Sequence, residues 1–128
     1  GNPLTDIPEY VPAIRAAGDP MASLPPVALA TLRAKMLALS VEVGDGAVWA
    51  NGSLRRMGHS VDLVPADRRA DGFWIGNMIP TVIDDDIDAA RARNRKTLQG
   101  YVALPNYRNY WIEAGYEAFG ESVDRVVA

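Results

Sequence analysis

Between Pro26 and Gly52 the chain reads PVALATLRAKMLALSVEVGDGAVWANG, and the period of its apolar positions changes twice within that stretch. Val27 to Thr31 is a continuous apolar run of strand length. From Leu32 to Val43 the spacing becomes helical, with Leu32, Met36, Leu39 and Val43 on one stripe, and Gly44 and Gly46 end it. Ala47 to Asn51 is a second apolar run, after which Asn51-Gly52-Ser53 turns the chain toward another helix. Two apolar strands joined by an amphipathic helix through short connections predict a right-handed βαβ crossover, hence a parallel, buried sheet.

The alternation continues downstream. Ser53 is placed to cap a helix running through Leu54, Met57, Val61 and Val64 and ended by Pro65. Residues 66–72 (ADRRADG) read as a charged turn, and Phe73 to Ile83 (FWIGNMIPTVI) as a third strand that Gly76 and Pro80 disturb. Asp84-Asp85-Asp86 opens a long helix from about Ile87 to Leu104, with Ile87, Ala90, Asn94, Leu98, Tyr101 and Val102 along one side and Arg91, Arg93, Arg95 and Lys96 in its middle. Pro105 breaks it, and a second helix follows from Asn106 to Ala114, closed at Gly115. Residues 26–116 thus form a βαβαβα segment. Before it, residues 1–25 hold Pro3, Pro8, Pro12, Pro20 and Pro25 and read as a loop excursion with one short helix from about Pro8 to Ala17; after it, 117–128 read as a weakly amphipathic helical tail.

Composition narrows the function classes. A chain of 128 residues, 48% hydrophobic and 23% charged, is one ordinary soluble domain, and a net charge of -3 offers no electrostatic case for nucleic acid. The absence of cysteine excludes disulfides, thiolate catalysis and thiolate zinc sites, and fits a reducing cytoplasm, the default location. No stretch reaches membrane-span length, and the first residues lack the regions of a signal peptide. A closed barrel of eight βα units needs about 250 residues. With about three strands, this chain is either a small open sheet or part of something larger.

Candidate chemistry follows from topology, because ligands of parallel α/β proteins meet the carboxyl ends of the strands. Those positions are Ala30, Thr31, Leu32 and Arg33 after the first strand, and Ala50, Asn51, Gly52 and Ser53 after the second. Thr31 offers a hydroxyl, Arg33 a forked cation and Asn51 an amide, while Gly52 lets an anion approach the backbone at the positive end of a helix dipole. The structural alternative makes Thr31 and Ser53 helix caps, Gly52 a turn residue and Arg33 a solvated side chain. Asp84 to Asp88 lack the spacing of a calcium loop and read as helix-capping charge. His59, the single histidine, has no partner spaced for a relay and reads as a surface residue, and Asp45 sits at the opposite end of the sheet as a structural turn residue. The aromatic group Tyr101, Tyr107, Tyr110, Trp111 and Tyr116 around Pro105 reads as a packed corner or a subunit contact. No metal site and no catalytic acid or base is identified.

The order of these motifs resembles the later part of the luciferase-like flavin- or deazaflavin-dependent oxidoreductases over roughly residues 25–116. Arg33-Ala34-Lys35-Met36-Leu37 stands where that family has P-K-M-L, Gly44-Asp45-Gly46 where it has A-D-G, and Asp85-Asp86-Ile87-Asp88-Ala89-Ala90-Arg91 where it has D-D-x-x-A-A-R. Tyr101, Leu104, Pro105 and Tyr107 match its Y-x-x-L-P-x-Y segment. The resemblance implies a partial (β/α)8 TIM barrel whose three strands are the family's fifth to seventh, truncated at both ends and inactive in isolation. It also implies a cofactor, flavin mononucleotide or a deazaflavin coenzyme, whose phosphate lies at Ala30, Thr31, Leu32, Arg33, Ala50, Asn51 and Gly52. Many members have Gly or Pro where this chain has Leu32-Arg33-Ala34, which shifts the phosphate contact toward the Arg33 side chain. A small-molecule substrate, and association with another copy or with the rest of the barrel, are the further partners implied. The alternative is a non-catalytic oligomerisation or interaction module derived from such a barrel.

Overall fold

The computed structural model describes residues 1–18 and 24–116. Along the chain lie α1 (Pro3–Ala17), β1 (Ala28–Ala30), α2 (Ala34–Val43), β2 (Gly46–Ala50), α3 (Leu54–Asp62), α4 (Ala66–Ala70), β3 (Trp74–Met78), α5 (Ile87–Val102) and α6 (Pro105–Glu113). The three strands form one parallel sheet in the order β1-β2-β3, with Leu29 opposite Ala47 and Ala47 opposite Ile75. This is the mixed α/β, three-strand arrangement that the periodicity predicts. Among the described residues, no helix is long and apolar enough to cross a membrane.

Alternation along β2 divides the sheet. Ala47 and Trp49 point to one face, where Leu37 of α2, Val64 and Phe73 complete a dry cluster with them. Each such fully buried large side chain contributes on the order of 1.5–3 kcal/mol. Ser40 is also buried against the sheet, where its Oγ donates to the Gly46 carbonyl at 2.6 Å. A second cluster, Val102, Tyr110 and Trp111, forms the corner where α5 meets α6, with the Tyr101 and Tyr107 rings 4.8 Å apart edge to face. The aromatic group is thus a packed corner.

The opposite face, carrying Ala28, Ala30, Val48, Trp74, Gly76 and Met78, is largely open: Trp74 and Met78 are 54% and 60% exposed. The expectation of a fully buried sheet therefore holds for one face only. The Trp74 indole lies back over Gly76, where a Cβ would fall 2.4 Å from the ring, so this glycine makes room for an aromatic on an uncovered strand.

Several boundaries differ from those that the sequence pattern predicts, each for a physical reason. The N-terminal loop excursion is instead a helix from Pro3, with Pro8 and Pro12 inside it. Asn2 caps it by accepting from the Leu4 N–H at 3.2 Å, and each internal proline costs about 3 kcal/mol of helix stability. Packing of α1 against α2, burial of Val11 and the Arg15–Asp45 ion pair at 2.9 Å offset that cost. The charged turn at 66–72 closes instead into α4, opened by Pro65. The third strand ends at Met78 rather than Ile83, because Pro80 has no N–H to give a ladder. Leu32 lies outside α2, and the deeply buried Leu37 and Leu39 sit on roughly opposite sides of that helix, since both the sheet and α1 pack on it. The expected stripe of α5 is only partly covered: Ile87 is 64% exposed, Ala90, Asn94 and Tyr101 are half-buried, and only Val102 is buried. The tail at 117–128 lies outside the described residues.

Asp45 is structural, as expected. Its carboxylate accepts from the Val27 N–H at 2.8 Å and pairs with Arg15, joining β1, the turn before β2 and α1. The Val27 N–H holds its pKa below the ordinary 3.8, with desolvation opposing and Arg15 assisting. Its stabilising effect is therefore complete above about 3.8 and is lost as pH falls through the depressed folded value. Urea midpoints across that range should show an acid-side loss in the wild type that Asp45→Asn lacks; parallel curves would refute the linkage. Gly46→Ala should cost about 1–3 kcal/mol, because its Cβ would meet the Trp74 backbone oxygen at 2.7 Å. Gly76→Ala should cost less, since the half-exposed Trp74 ring can swing away, and should change Trp emission instead.

Candidate functional site

The carboxyl ends of β1 and β2 place the candidate residues side by side, and most of their hydrogen-bonding groups are engaged within the chain. The Thr31 N–H donates to the Val48 carbonyl at 2.8 Å, and its hydroxyl reaches the same oxygen at 3.4 Å. Arg33, the N-cap position of α2, forms an ion pair with Glu113 on α6. Arg56 approaches the same residue, donating to its carbonyl at 3.2 Å.

The turn after β2 is more elaborate. Asn51 has a left-handed backbone, φ 57°, which asparagine tolerates better than other side chains. Its N–H donates to the Met78 carbonyl at 2.9 Å. Asn77 then clamps Gly52 from both sides: its Oδ1 accepts from the Gly52 N–H at 2.9 Å and its Nδ2 donates to the Gly52 carbonyl at 3.1 Å. A Cβ at Gly52 would fall 3.0 Å from that Oδ1, so the close approach demands glycine. The Tyr110 hydroxyl accepts from the buried Ser53 N–H at 2.9 Å, and Trp111 Nε1 donates to the Asn51 carbonyl at 3.4 Å. Burial raises the pKa of the Tyr110 phenol, which keeps it neutral.

Two hollows open here. One cleft, of about 320 Å³, is lined by Ala30, Thr31, Leu32 and Ala50 together with Ile7 of α1 and Tyr107 of α6. The other, of about 420 Å³, is lined by Asn51, Gly52 and Ser53 with side chains from α5, α6 and the segment after β3. The seven positions expected around one phosphate are therefore divided, with Arg33 at a third place beside Glu113. Ser53 occupies the N-cap position of α3 without a side-chain capping bond, contrary to expectation.

As to fit, the backbone N–H groups of Thr31, Asn51, Gly52 and Ser53 are all committed within the chain. Among side chains on the loop after β1, the exposed guanidinium of Arg33 and the loosely bonded Thr31 hydroxyl are the ones suited to a phosphate. Among the described residues, no group of three or more His, Asp or Glu comes together to hold a metal. Asp86 caps α5 by accepting from the Asp88 and Ala89 N–H groups, the role read from the sequence. His59 is exposed on α3. Asn77 and Tyr110 are the residues that sequence reasoning missed as shapers of the site. Asn77 reads only as a polar interruption of a strand, and Tyr110 lies 57 residues from Ser53, so no local pattern links them.

Comparison with known proteins adds one finding. A family model described as luciferase-like monooxygenase matches residues 4–126, which extends the similarity across α1. No curated protein and no solved structure matches the chain.

Tyr110→Phe leaves the buried Ser53 N–H without an acceptor and should destabilise the fold by about 1–3 kcal/mol in urea denaturation. A loss within error would show that the phenol does not hold the turn.

Proposed function

We propose, from the premise that this chain belongs to the luciferase-like monooxygenase family, that it is a segment of a flavin- or deazaflavin-dependent oxidoreductase and helps anchor the cofactor phosphate. One observation carries this reading. The cleft lined by Ala30, Thr31, Leu32 and Ala50 lies at the carboxyl ends of parallel strands, and the residue after Leu32 is an arginine whose ion pair is exposed. Exposed pairs of this kind are worth about 0–1 kcal/mol, so a phosphate in the cleft can draw the Arg33 fork from Glu113 at little cost. Thr31 supplies a second donor once its long bond to Val48 is released, and Ile7, Val48 and Met78 give the cleft an apolar wall.

When bound, such a cofactor supplies two-electron chemistry: hydride transfer or, for a flavin, reaction with oxygen. The contribution of these residues is to bind and orient it. Asn51 and Gly52 open on the other cavity, so this proposal rests on the positions around β1 and on Ala50. A second reading, a non-catalytic association module, is favoured by the open sheet face with Trp74 and Met78 exposed and by the two outer strands β1 and β3.

Titration of the full chain with flavin mononucleotide and with a deazaflavin coenzyme, followed by cofactor fluorescence, tests the first reading. Saturable binding should be competed by inorganic phosphate and weakened about tenfold by Arg33→Ala, the loss expected for one charge-assisted contact. Binding indifferent to Arg33 and phosphate would remove the anchoring role. A dimer by light scattering, with no affinity for either cofactor, would favour the second reading.

A further inference from the structure

We infer that the cavity at the amino end of α3 is a binding pocket for a small apolar monocarboxylate, gripped by the side chains of Asn51 and Ser53. This goes beyond the cofactor proposal and does not rest on it. The hollow measures about 420 Å³, within the size range of small-molecule sites, and most of its wall is apolar: Leu54, Ile79, Pro80 and Leu98. Leu54 and Ile79 are 90% and 70% exposed, so the rim presents large aliphatic side chains to water that a ligand would cover.

The polar end of the pocket carries the argument. Ser53 is only 8% exposed, yet its Oγ has no hydrogen-bond partner, and the Asn51 Nδ2 is also buried without one. A serine at an N-cap ordinarily spends its hydroxyl on the first turn; this one does not. Two unpaired donors, on residues two apart that line one cavity at the positive end of a nine-residue helix, are a costly arrangement, and rotation of their side chains toward a bound oxygen acceptor relieves it. The serine hydroxyl reaches such an acceptor by rotation about one bond.

The same groups select the class of ligand. None of the described lining residues is acidic, so an ammonium group meets only neutral acceptors, such as the Asn94 amide oxygen, and no counter-charge. None of them is Lys or Arg, and the Gly52 and Ser53 N–H groups are already taken by Asn77 and Tyr110, so a phosphate dianion is poorly neutralised. Two donors and a helix terminus match the two oxygens and single charge of a carboxylate. The pocket also adjoins the first cleft, because Ala50 and Met78 line one hollow while Asn51 and Ile79, the next residues, line the other.

The test is a ¹H–¹⁵N titration of the full chain with octanoate, 1-octanol, octylamine and inorganic phosphate. Octanoate should saturate the Ser53 and Leu54 amide shifts and the Trp111 indole shift, more tightly than the alcohol or amine. Ser53→Ala and Asn51→Gly should each weaken it about tenfold. Glycine accepts the positive φ at position 51, so that variant keeps the turn while removing the donor. Equal affinity for octanol, with both variants unaffected, would reduce the pocket to an apolar crevice and overturn the proposal. Phosphate shifting the same signals while octanoate does not would overturn it too. Octanoate binding in a chain that binds neither cofactor would uphold this pocket while removing the cofactor reading.

Discussion

The turn at Asn51–Ser53 is held by three side chains from two other places in the chain, β3 and α6, and the shape of the carboxyl end of the sheet depends on that tie. Asn77 satisfies both backbone groups of Gly52, Tyr110 satisfies the Ser53 N–H, and Trp111 reaches the Asn51 carbonyl. These bonds lock β2 to β3 and both to α6. They also engage the Gly52 and Ser53 N–H groups, so a ligand at this turn meets the Asn51 and Ser53 side chains rather than those two amides.

That redistribution separates two hollows that strand topology alone would merge. One, over the ends of β1 and β2, is lined by Leu32, the neighbour of the exposed Arg33; the other has neutral donors under an aliphatic rim. A charged side chain and a neutral, partly apolar pocket suit different ligands, and the two hollows adjoin through the consecutive residues Ala50 and Asn51. At the opposite end of the sheet, Asp45 joins Val27, Arg15 and the turn into β2.

The sheet is packed on one side. Trp49, Leu37, Val64 and Phe73 make a dry layer, while Ala28, Ala30 and Met78 face outward and Trp74 folds back on Gly76. A parallel sheet normally has both faces covered.

Much of the frame was legible in the chain, because apolar period and punctuation are local properties. The three strands, their parallel order and the breaks at Gly44 and Pro105 follow from the alternation of strand-length runs with helical spacing. Asp86 declares itself as a cap for the same reason. Tertiary structure decided the rest. It kept α1 helical through Pro8 and Pro12 by packing it on α2, and divided the candidate residues between two hollows. Those outcomes depend on which distant side chain completes which hydrogen bond, as Tyr110 does for Ser53, and a contact across 57 residues leaves no trace in local periodicity.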